Sequence, residues 1–257
     1  MLLADLTAGA REDAERREDE VPLVQVEKLA LQAEPARDAL VALAPAPHVK
    51  VIAEVKRASP SRGDMAEISD PAALAQVYQS AGASVISVLT EERKFKGSLH
   101  DLAAVRAHVT IPILRKDFIS TPYQVFEARA YGADVCLLIV AALTDSELTS
   151  LFGLVTQLGM HALVEAHTAE EVDRAVDLGS SLIGVNARDL DTFELDRDLF
   201  GRVADRIPAG TVRIAESAVR STDDVRHYRK SGADAVLVGE ALVTSDPMVT
   251  LTSFLEV

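Results

Sequence analysis

The chain has 257 residues, 48% apolar and 26% charged, which is enough for one large hydrophobic core or two modest ones. Its formal net charge of −14 argues against nucleic acid or an anionic membrane as a partner, but not against a small anionic substrate. The first residues contain no apolar run long enough for a signal peptide or a membrane span. The single cysteine, Cys136, lies within an apolar run, which is typical of a buried inert thiol. We therefore expect a cytoplasmic protein.

Residues 1–48 are expected to be helical and to precede the main fold. Their charged cluster REDAERREDE (11–20) is typical of a solvated helix face. The segment PAP (45–47) ends this region, because proline interrupts helices. We expect residues 1–257 to form a single domain, with residues 1–48 as a helical extension.

Short apolar runs rich in β-branched residues recur after residue 48, at intervals that fit one strand plus one crossover helix. Runs this apolar are typical of strands buried on both faces, as in a parallel sheet. They are VIAEVK (51–56), VISVLT (85–90), IPILRKD (111–117), VCLLIV (135–140), ALVEAH (162–167), LIGVNA (182–187), VRIAES (212–217) and AVLVGE (235–240).

The segments between these runs carry the residues that begin and end helices. Asp70 and Pro71 predict the start of one helix, and Gly82 predicts its end. Thr168 and Glu171 predict a capping box at the start of another helix. Repeated strand–helix units in one domain predict an α/β fold, a (β/α)₈ TIM barrel with additional N-terminal helices. A doubly wound open sheet is the alternative, but no G-x-G-x-x-G motif follows the first run.

Charged and polar residues recur at the C-terminal ends of the predicted strands, where the active site of such a barrel lies. Glu54 and Lys56 have the same parity, so both should point into the barrel mouth while Val55 faces the helices. A single charged residue at a strand end usually only marks where the strand reaches solvent. Several together predict an acid–base site that also binds an anion. The other members of this group are Lys116, Glu165, Asn186, Arg188 and Glu216.

Small residues follow the last two predicted strands, in AESAV (215–219) and LVGEAL (237–242). The loops at this position of a barrel often bind phosphate through backbone N–H groups. These two loops therefore predict a phosphate site next to the acid–base group.

Eight stretches, in order from about residue 50 to 250, resemble indole-3-glycerol phosphate synthase, a barrel enzyme of tryptophan biosynthesis with extra N-terminal helices. They are IAEVKRASPS, VLTEERKFKGS, IPILRKDF, LLIVAAL, ALVEAHT, GVNARDL, IAES and LVGEAL. The resemblance implies a ring closure without cofactor or metal. A small anionic phosphorylated substrate, 1-(2-carboxyphenylamino)-1-deoxyribulose 5-phosphate, gives indole-3-glycerol phosphate, carbon dioxide and water. We also expect a monomer or a weak homodimer.

The resemblance implies roles for five catalytic residues. Lys116 would be the general acid that polarises the substrate carbonyl, and Glu165 the general base that aromatises the indole. Lys56 would hold the substrate carboxylate and is a candidate for the second acid; which lysine acts at which step stays open. Glu54 would orient Lys56, and Asn186 would hydrogen-bond the reacting centre.

The resemblance also implies a set of substrate-binding residues. The apolar wall around the anthranilate ring would be formed by Leu89, Phe95, Phe118 and Leu137. The family motif is expected to read Glu-Ser-Gly near the phosphate, whereas this chain has Ala218, which is unfavourable if the backbone there needs positive φ. The residues expected near the anionic groups are Ser59, Arg188, Glu216, Ser217, Ala218, Gly239 and Glu240.

Two other functions fit parts of the pattern. A lysine beside a carboxylate at a barrel-strand end also forms Schiff bases, as in aldolases. A non-catalytic phosphate-binding relative is the second alternative, but a protein that only binds phosphate needs neither two lysines nor a general base.

Overall fold

The computed structural model describes residues 2–257, which contain a closed barrel of parallel strands. The strands pair in chain order, and the first also pairs with the last, Lys50 lying opposite Ala235. The (β/α)₈ prediction is therefore confirmed, and the open sheet is excluded. The barrel strands are β1 (Lys50–Val55), β2 (Val85–Leu89), β3 (Ile113–Lys116), β4 (Val135–Ile139), β5 (His161–Ala166), β6 (Leu182–Asn186), β7 (Val212–Glu216) and β8 (Ala235–Val238).

Helices alternate with the strands, and the region before β1 is helical as predicted. A small hairpin of Ala58–Ser59 with Gly63–Asp64 follows β1. Among residues 2–257, no helix has the length and apolar character needed to span a bilayer. The helices are α1 (Leu2–Glu20), α2 (Leu23–Gln32), α3 (Ala39–Ala42), α4 (Pro71–Ser80), α5 (Leu99–His108), α6 (Pro122–Ala130), α7 (Asp145–Gln157), α8 (Ala169–Asp177), α9 (Leu199–Val203), α10 (Thr222–Lys230), α11 (Glu240–Val243) and α12 (Pro247–Leu255).

Alternation along the strands divides the buried side chains into two layers. Val51 and Val55 of β1 pack outward against the helices, together with most of the buried apolar residues. Ile52, between them, packs inside the barrel with Leu114 of β3. Cys136 is buried in the outer layer, and burial raises the pKa of its thiol to about 12. The parity that points Ile52 inward also points Glu54 inward, so β1 delivers a carboxylate to the barrel mouth.

The predicted helix boundaries hold, with one correction. The Asp70 carboxylate caps α4, and Gly82 follows that helix with φ +101°, a conformation that glycine adopts without strain. At α8, Thr168 accepts the backbone N–H of Glu171 as expected. The second half of the predicted capping box is wrong, because the Glu171 carboxylate accepts the N–H of His167 instead. The assignment of the whole chain to one domain stays a prediction.

Candidate active site

One pocket opens at the C-terminal ends of the strands, and every site residue predicted from the sequence lines it. The fold thus brings together side chains that lie far apart in the chain; the roles assigned to them stay predictions. The predicted residues in the pocket wall are Glu54, Lys56, Ser59, Leu89, Phe95, Lys116, Phe118, Leu137, Glu165, Asn186, Arg188, Glu216, Ser217, Ala218, Gly239 and Glu240.

An ion pair explains the two opposite charges at the end of β1. Lys56 Nζ lies 2.7 Å from Glu54 Oε1. Ser87 Oγ of β2 donates a hydrogen bond to the other carboxylate oxygen of Glu54 at 3.3 Å. Glu54 is only 3% exposed, and a buried carboxylate needs such partners to remain charged. The pair therefore holds the Lys56 ammonium at the pocket wall.

Lys116 at the end of β3 is surrounded by carboxylates. Its Nζ lies 2.9 Å from Glu165 Oε2 and 3.6 Å from Glu216 Oε2. Burial alone would lower the pKa of Lys116, but the negative charges of Glu165, Glu216 and Glu54 raise that pKa above its ordinary value. Lys116 is therefore an ammonium that can donate a proton but cannot act as a nucleophile in this state.

Two neighbouring carboxyl groups have pKa values shifted in opposite directions. Burial opposes ionisation of Glu165, but the Lys116 charge and His167 hold the pKa of Glu165 well below its usual range. Burial and the charge of Glu165 raise the pKa of Glu216 well above its usual range. A pair divided in this way supplies one ionised base and one protonated partner at neutral pH.

Glycine and amide groups fix these carboxyl groups in place. A Cβ added to Gly184 of β6 would collide with Glu216 Oε1, so the glycine makes room for that side chain. Asn186 Nδ2 donates to Glu165 Oε1 at 3.2 Å. Its Oδ1 accepts hydrogen bonds from Ser217 Oγ at 2.7 Å and from the N–H of Arg188 at 3.0 Å. Those two donors set the amide so that its Nδ2 faces Glu165.

The apolar wall includes residues that the sequence did not indicate. Phe95 and Phe118 have ring centroids 6.1 Å apart and are tilted by 43°. Leu2 and Leu6 of α1 also line the pocket, as does Phe193 of the loop after β6. No local pattern marks these three, because their contact with the pocket depends on how α1 and a long loop pack against the barrel.

The 91–98 loop, which carries Phe95, is tied to α1 by ion pairs. Arg93 Nε lies 2.8 Å from Asp13 Oδ2, and its Nη1 lies 2.9 Å from Glu12 Oε2. Within the loop, the Glu91 carboxylate accepts the backbone N–H of Phe95 at 2.8 Å. The N-terminal helix therefore contributes to the pocket twice, directly through its leucines and indirectly by holding this loop.

The backbone after β7 has the conformation that the glycine motif would predict. Ser217 has φ +67° and Ala218 has φ +57°, both in the left-handed region. A methyl group in that region costs about 1 to 2 kcal/mol relative to glycine. The chain therefore accepts strain in this loop, which faces the pocket.

Basic side chains cluster at the same end of the pocket. Arg188 and Arg220 both line it. Burial, chiefly, together with the charges of Arg220 and Arg62, lowers the pKa of Arg188 from its ordinary value. Arg62 forms an ion pair with Glu240 at the start of α11. Cations that crowd one another in this way favour an anionic occupant.

His167 is a site neighbour that the sequence analysis missed. Its Nε2 lies 3.3 Å from Glu165 Oε1. The signal was present, because residue 167 has the same parity as Glu165 at the end of β5. The rule that paired Glu54 with Lys56 would have found it.

The fold and the site together define a (β/α)₈-barrel enzyme with an acid–base centre and an anion-binding end. The family model described as indole-3-glycerol phosphate synthase matches residues 3–253. The chain belongs to this family of decarboxylating lyases of tryptophan biosynthesis.

Relatives named indole-3-glycerol phosphate synthase cover nearly the whole chain. The one from Leifsonia xyli subsp. xyli is 66% identical over 98% of this chain and 97% of its own. The one from Mycobacteroides abscessus is 58% identical over 96% of this chain and 90% of its own. Among solved structures, thiamine phosphate pyrophosphorylase from Pyrococcus furiosus aligns with a TM-score of 0.62, covering 80% of this chain and 93% of its own. At 12% identity that likeness shows the fold alone.

Proposed function

We propose that Lys116 and Glu165 are the acid and the base of the ring closure of 1-(2-carboxyphenylamino)-1-deoxyribulose 5-phosphate to indole-3-glycerol phosphate. The observation that carries this assignment is the contact between the Lys116 ammonium and the ionised Glu165, 2.9 Å apart inside a buried pocket. A proton donor and an acceptor held this close serve both the carbonyl and the ring of one substrate.

The substrate binds along the pocket according to its charge and polarity. The phosphate lies against the loops after β7 and β8, where Ser217, Ala218 and Gly239 present backbone N–H groups and Arg188 adds a positive charge. The anthranilate ring lies between the aromatic and leucine side chains of the opposite wall. Lys56, fixed by Glu54, binds the substrate carboxylate.

The first chemical step forms the new carbon–carbon bond. The ring carbon attacks the ketone carbon while the Lys116 ammonium gives a proton to the ketone oxygen, which becomes a hydroxyl. The carboxylate then leaves as carbon dioxide, and its bonding electrons restore the aromatic ring. A lysine is suited to this step because the alkoxide that develops is far more basic than its amine.

The second step removes water and forms the indole. A second proton from a lysine ammonium, Lys56 or a reprotonated Lys116, lets the hydroxyl leave as water. Glu165 removes the proton that is lost when the five-membered ring becomes aromatic. Over the two steps the substrate receives two protons and loses one. The net uptake of one proton balances the negative charge that the substrate loses with its carboxylate.

A Schiff-base enzyme fits the site less well. Attack on a carbonyl requires a neutral lysine, but the carboxylates around Lys116 keep its pKa above the ordinary value. A protein that only binds phosphate would have no use for a buried acid–base pair at the other end of the pocket.

Turnover of the substrate, followed by indole fluorescence, tests the proposal. Borohydride is added to a parallel sample, because it reduces a Schiff base to a stable lysine adduct. We expect indole formation and no adduct on Lys116 or Lys56. An adduct at either lysine would favour the aldolase-like reading, and binding without turnover would favour the phosphate-binding one. The cytoplasmic location and the monomeric or weakly dimeric state expected from the sequence stay predictions.

A further inference from the structure

His167 is held between two carboxylates at the end of β5. Its Nδ1 lies 3.3 Å from Glu171 Oε2 of α8, which also accepts the backbone N–H of His167 at 2.8 Å. On the other side its Nε2 lies 3.3 Å from Glu165 Oε1, without the alignment of a hydrogen bond. The side chain is only 10% exposed. His167 is therefore held by Glu171 on one side and forms an ion pair with Glu165 on the other.

The surroundings favour the charged form of the imidazole. Burial alone would lower the pKa of His167, but Glu165 and Glu171 raise it to about 10. Both carboxylates contact the ring, Glu165 from β5, which ends one residue before His167, and Glu171 from the following helix α8. Lys116 and Glu216 face Glu165 from β3 and β7. His167 is therefore the second cation beside Glu165, after Lys116.

The proposed reaction creates a need for this second cation. Lys116 is both the counter-charge of Glu165 and the proton donor of the first step. When Lys116 gives up its proton, Glu165 loses its main counter-charge in a buried site, next to the carboxyl of Glu216. Burial would then raise the pKa of Glu165 and favour its protonation before it has acted as a base.

We propose that His167 is a positioning residue, a retained cation that keeps Glu165 ionised after Lys116 has donated its proton. His167 is absent from the pocket wall, so it acts through Glu165 and not on the substrate. The inference rests on the proposed role of Glu165 as the base. Glu171 completes the arrangement, because it holds the ring by its Nδ1 and keeps it protonated.

The first test is the pH profile of kcat for His167→Gln, with His108→Gln as the matched control. His108 is an exposed histidine at the C-terminal end of α5, and it does not line the pocket. Without the imidazolium, the pKa of Glu165 rises, so the acid limb of the profile should move to higher pH by about one unit, a tenfold loss of rate there. On the alkaline plateau of the profile, kcat of the variant should stay within about threefold of kcat of the unmodified enzyme. An equal loss at every pH, or no change, would overturn the inference.

The second test needs no activity. The imidazole of His167 is titrated by NMR in the unmodified protein and in the Glu165→Gln variant. Both samples are prepared in a buffer without inorganic phosphate. We expect its pKa to lie well above 6.5 and to fall by about one unit or more in the variant, because the coupling between two charges is reciprocal. A His167 pKa near 6.5 in the unmodified protein would overturn the inference. Normal turnover by Glu165→Gln would instead overturn the proposed function, so the two failures are distinct.

Discussion

At the scale of single residues, the site is organised by the division of charge between Glu165 and Glu216. Both carboxyl groups are almost fully buried, and Lys116 lies within reach of each. Glu165 also has His167 and the Asn186 amide, whereas Glu216 Oε1 has no hydrogen-bond partner within the described chain. The group with more partners keeps its charge, which is why we propose Glu165, and not its neighbour, as the base.

Glu165→Gln should slow turnover by about 10² to 10⁴, the usual cost of removing a general base. The change is nearly isosteric and Gln can still accept from Asn186, but it removes a counter-charge of the buried Lys116 and His167, so the free energy of unfolding should fall by about 1 kcal/mol or more. Steady-state turnover and thermal unfolding measure the two effects. If the variant keeps normal turnover, the base lies elsewhere, and Glu54 is the next candidate.

Ala218→Gly should relieve strain in the loop after β7. Ala218 has φ +57°, so glycine should increase the free energy of unfolding by about 1 kcal/mol at most, part of the gain being offset by a more flexible unfolded chain. Because the backbone N–H is unchanged, affinity for inorganic phosphate and for substrate should stay the same or tighten modestly. Weaker binding by the variant would show that the methyl group contributes to the site.

At the scale of elements, α1 and the 91–98 loop together form part of the pocket wall. The loop carries Phe95 over the barrel mouth, and Arg93 attaches it to α1. These ion pairs lie at the surface, where such pairs contribute little to stability. Their effect should therefore be on the position of Phe95, and so on substrate binding.

Arg93→Gln should raise KM by about two- to fivefold and leave kcat nearly unchanged, since a surface ion pair contributes at most about 1 kcal/mol. Arg206→Gln is the matched control, because Arg206 is as exposed as Arg93 and pairs with Asp173 at 2.6 Å, away from the pocket. Raised ionic strength should reduce the difference between unmodified enzyme and variant. A kcat effect as large as the KM effect would show that the loop takes part in the chemistry.

The strands could be predicted from the sequence, whereas the docking of α1 could not. Burial on both faces leaves a continuous apolar run in each strand, and polar residues mark the end that faces the site. The third run begins at residue 111, but β3 begins at Ile113, because Pro112 has no N–H for the ladder. The contacts of Leu2 and Leu6 carry no local signal, since they depend on tertiary packing.

At the scale of the whole molecule, a chain of net charge −14 concentrates cations in one cleft. Lys56, Lys116, Arg188 and Arg220 all line the same pocket. The sequence predicted the grouping of Lys56, Lys116 and Arg188, because the barrel brings all strand ends to one rim, but it did not indicate Arg220. It did not predict which carboxyl would be ionised, because that depends on distances within the buried cluster.

The stability of the molecule should depend on pH through His167. Its folded pKa of about 10 lies above the unfolded value of about 6.5, so its contribution is fully present below about pH 6.5 and is lost as pH rises towards 10. His167→Gln should therefore be destabilised, on the order of a few kcal/mol, most strongly below pH 6.5 and least near pH 10. Denaturant unfolding across this range measures the difference; a gap that does not vary with pH would contradict the charged state.

The most direct test of the central assignment is single-turnover kinetics of Lys116→Met with the substrate. If the Lys116 ammonium is the proton donor for ring closure, this variant should form almost no indole. It should still bind a non-reactive reduced analogue of the substrate within about tenfold of the unmodified enzyme, or about 1.4 kcal/mol. Ring closure at the normal rate in Lys116→Met would contradict the account.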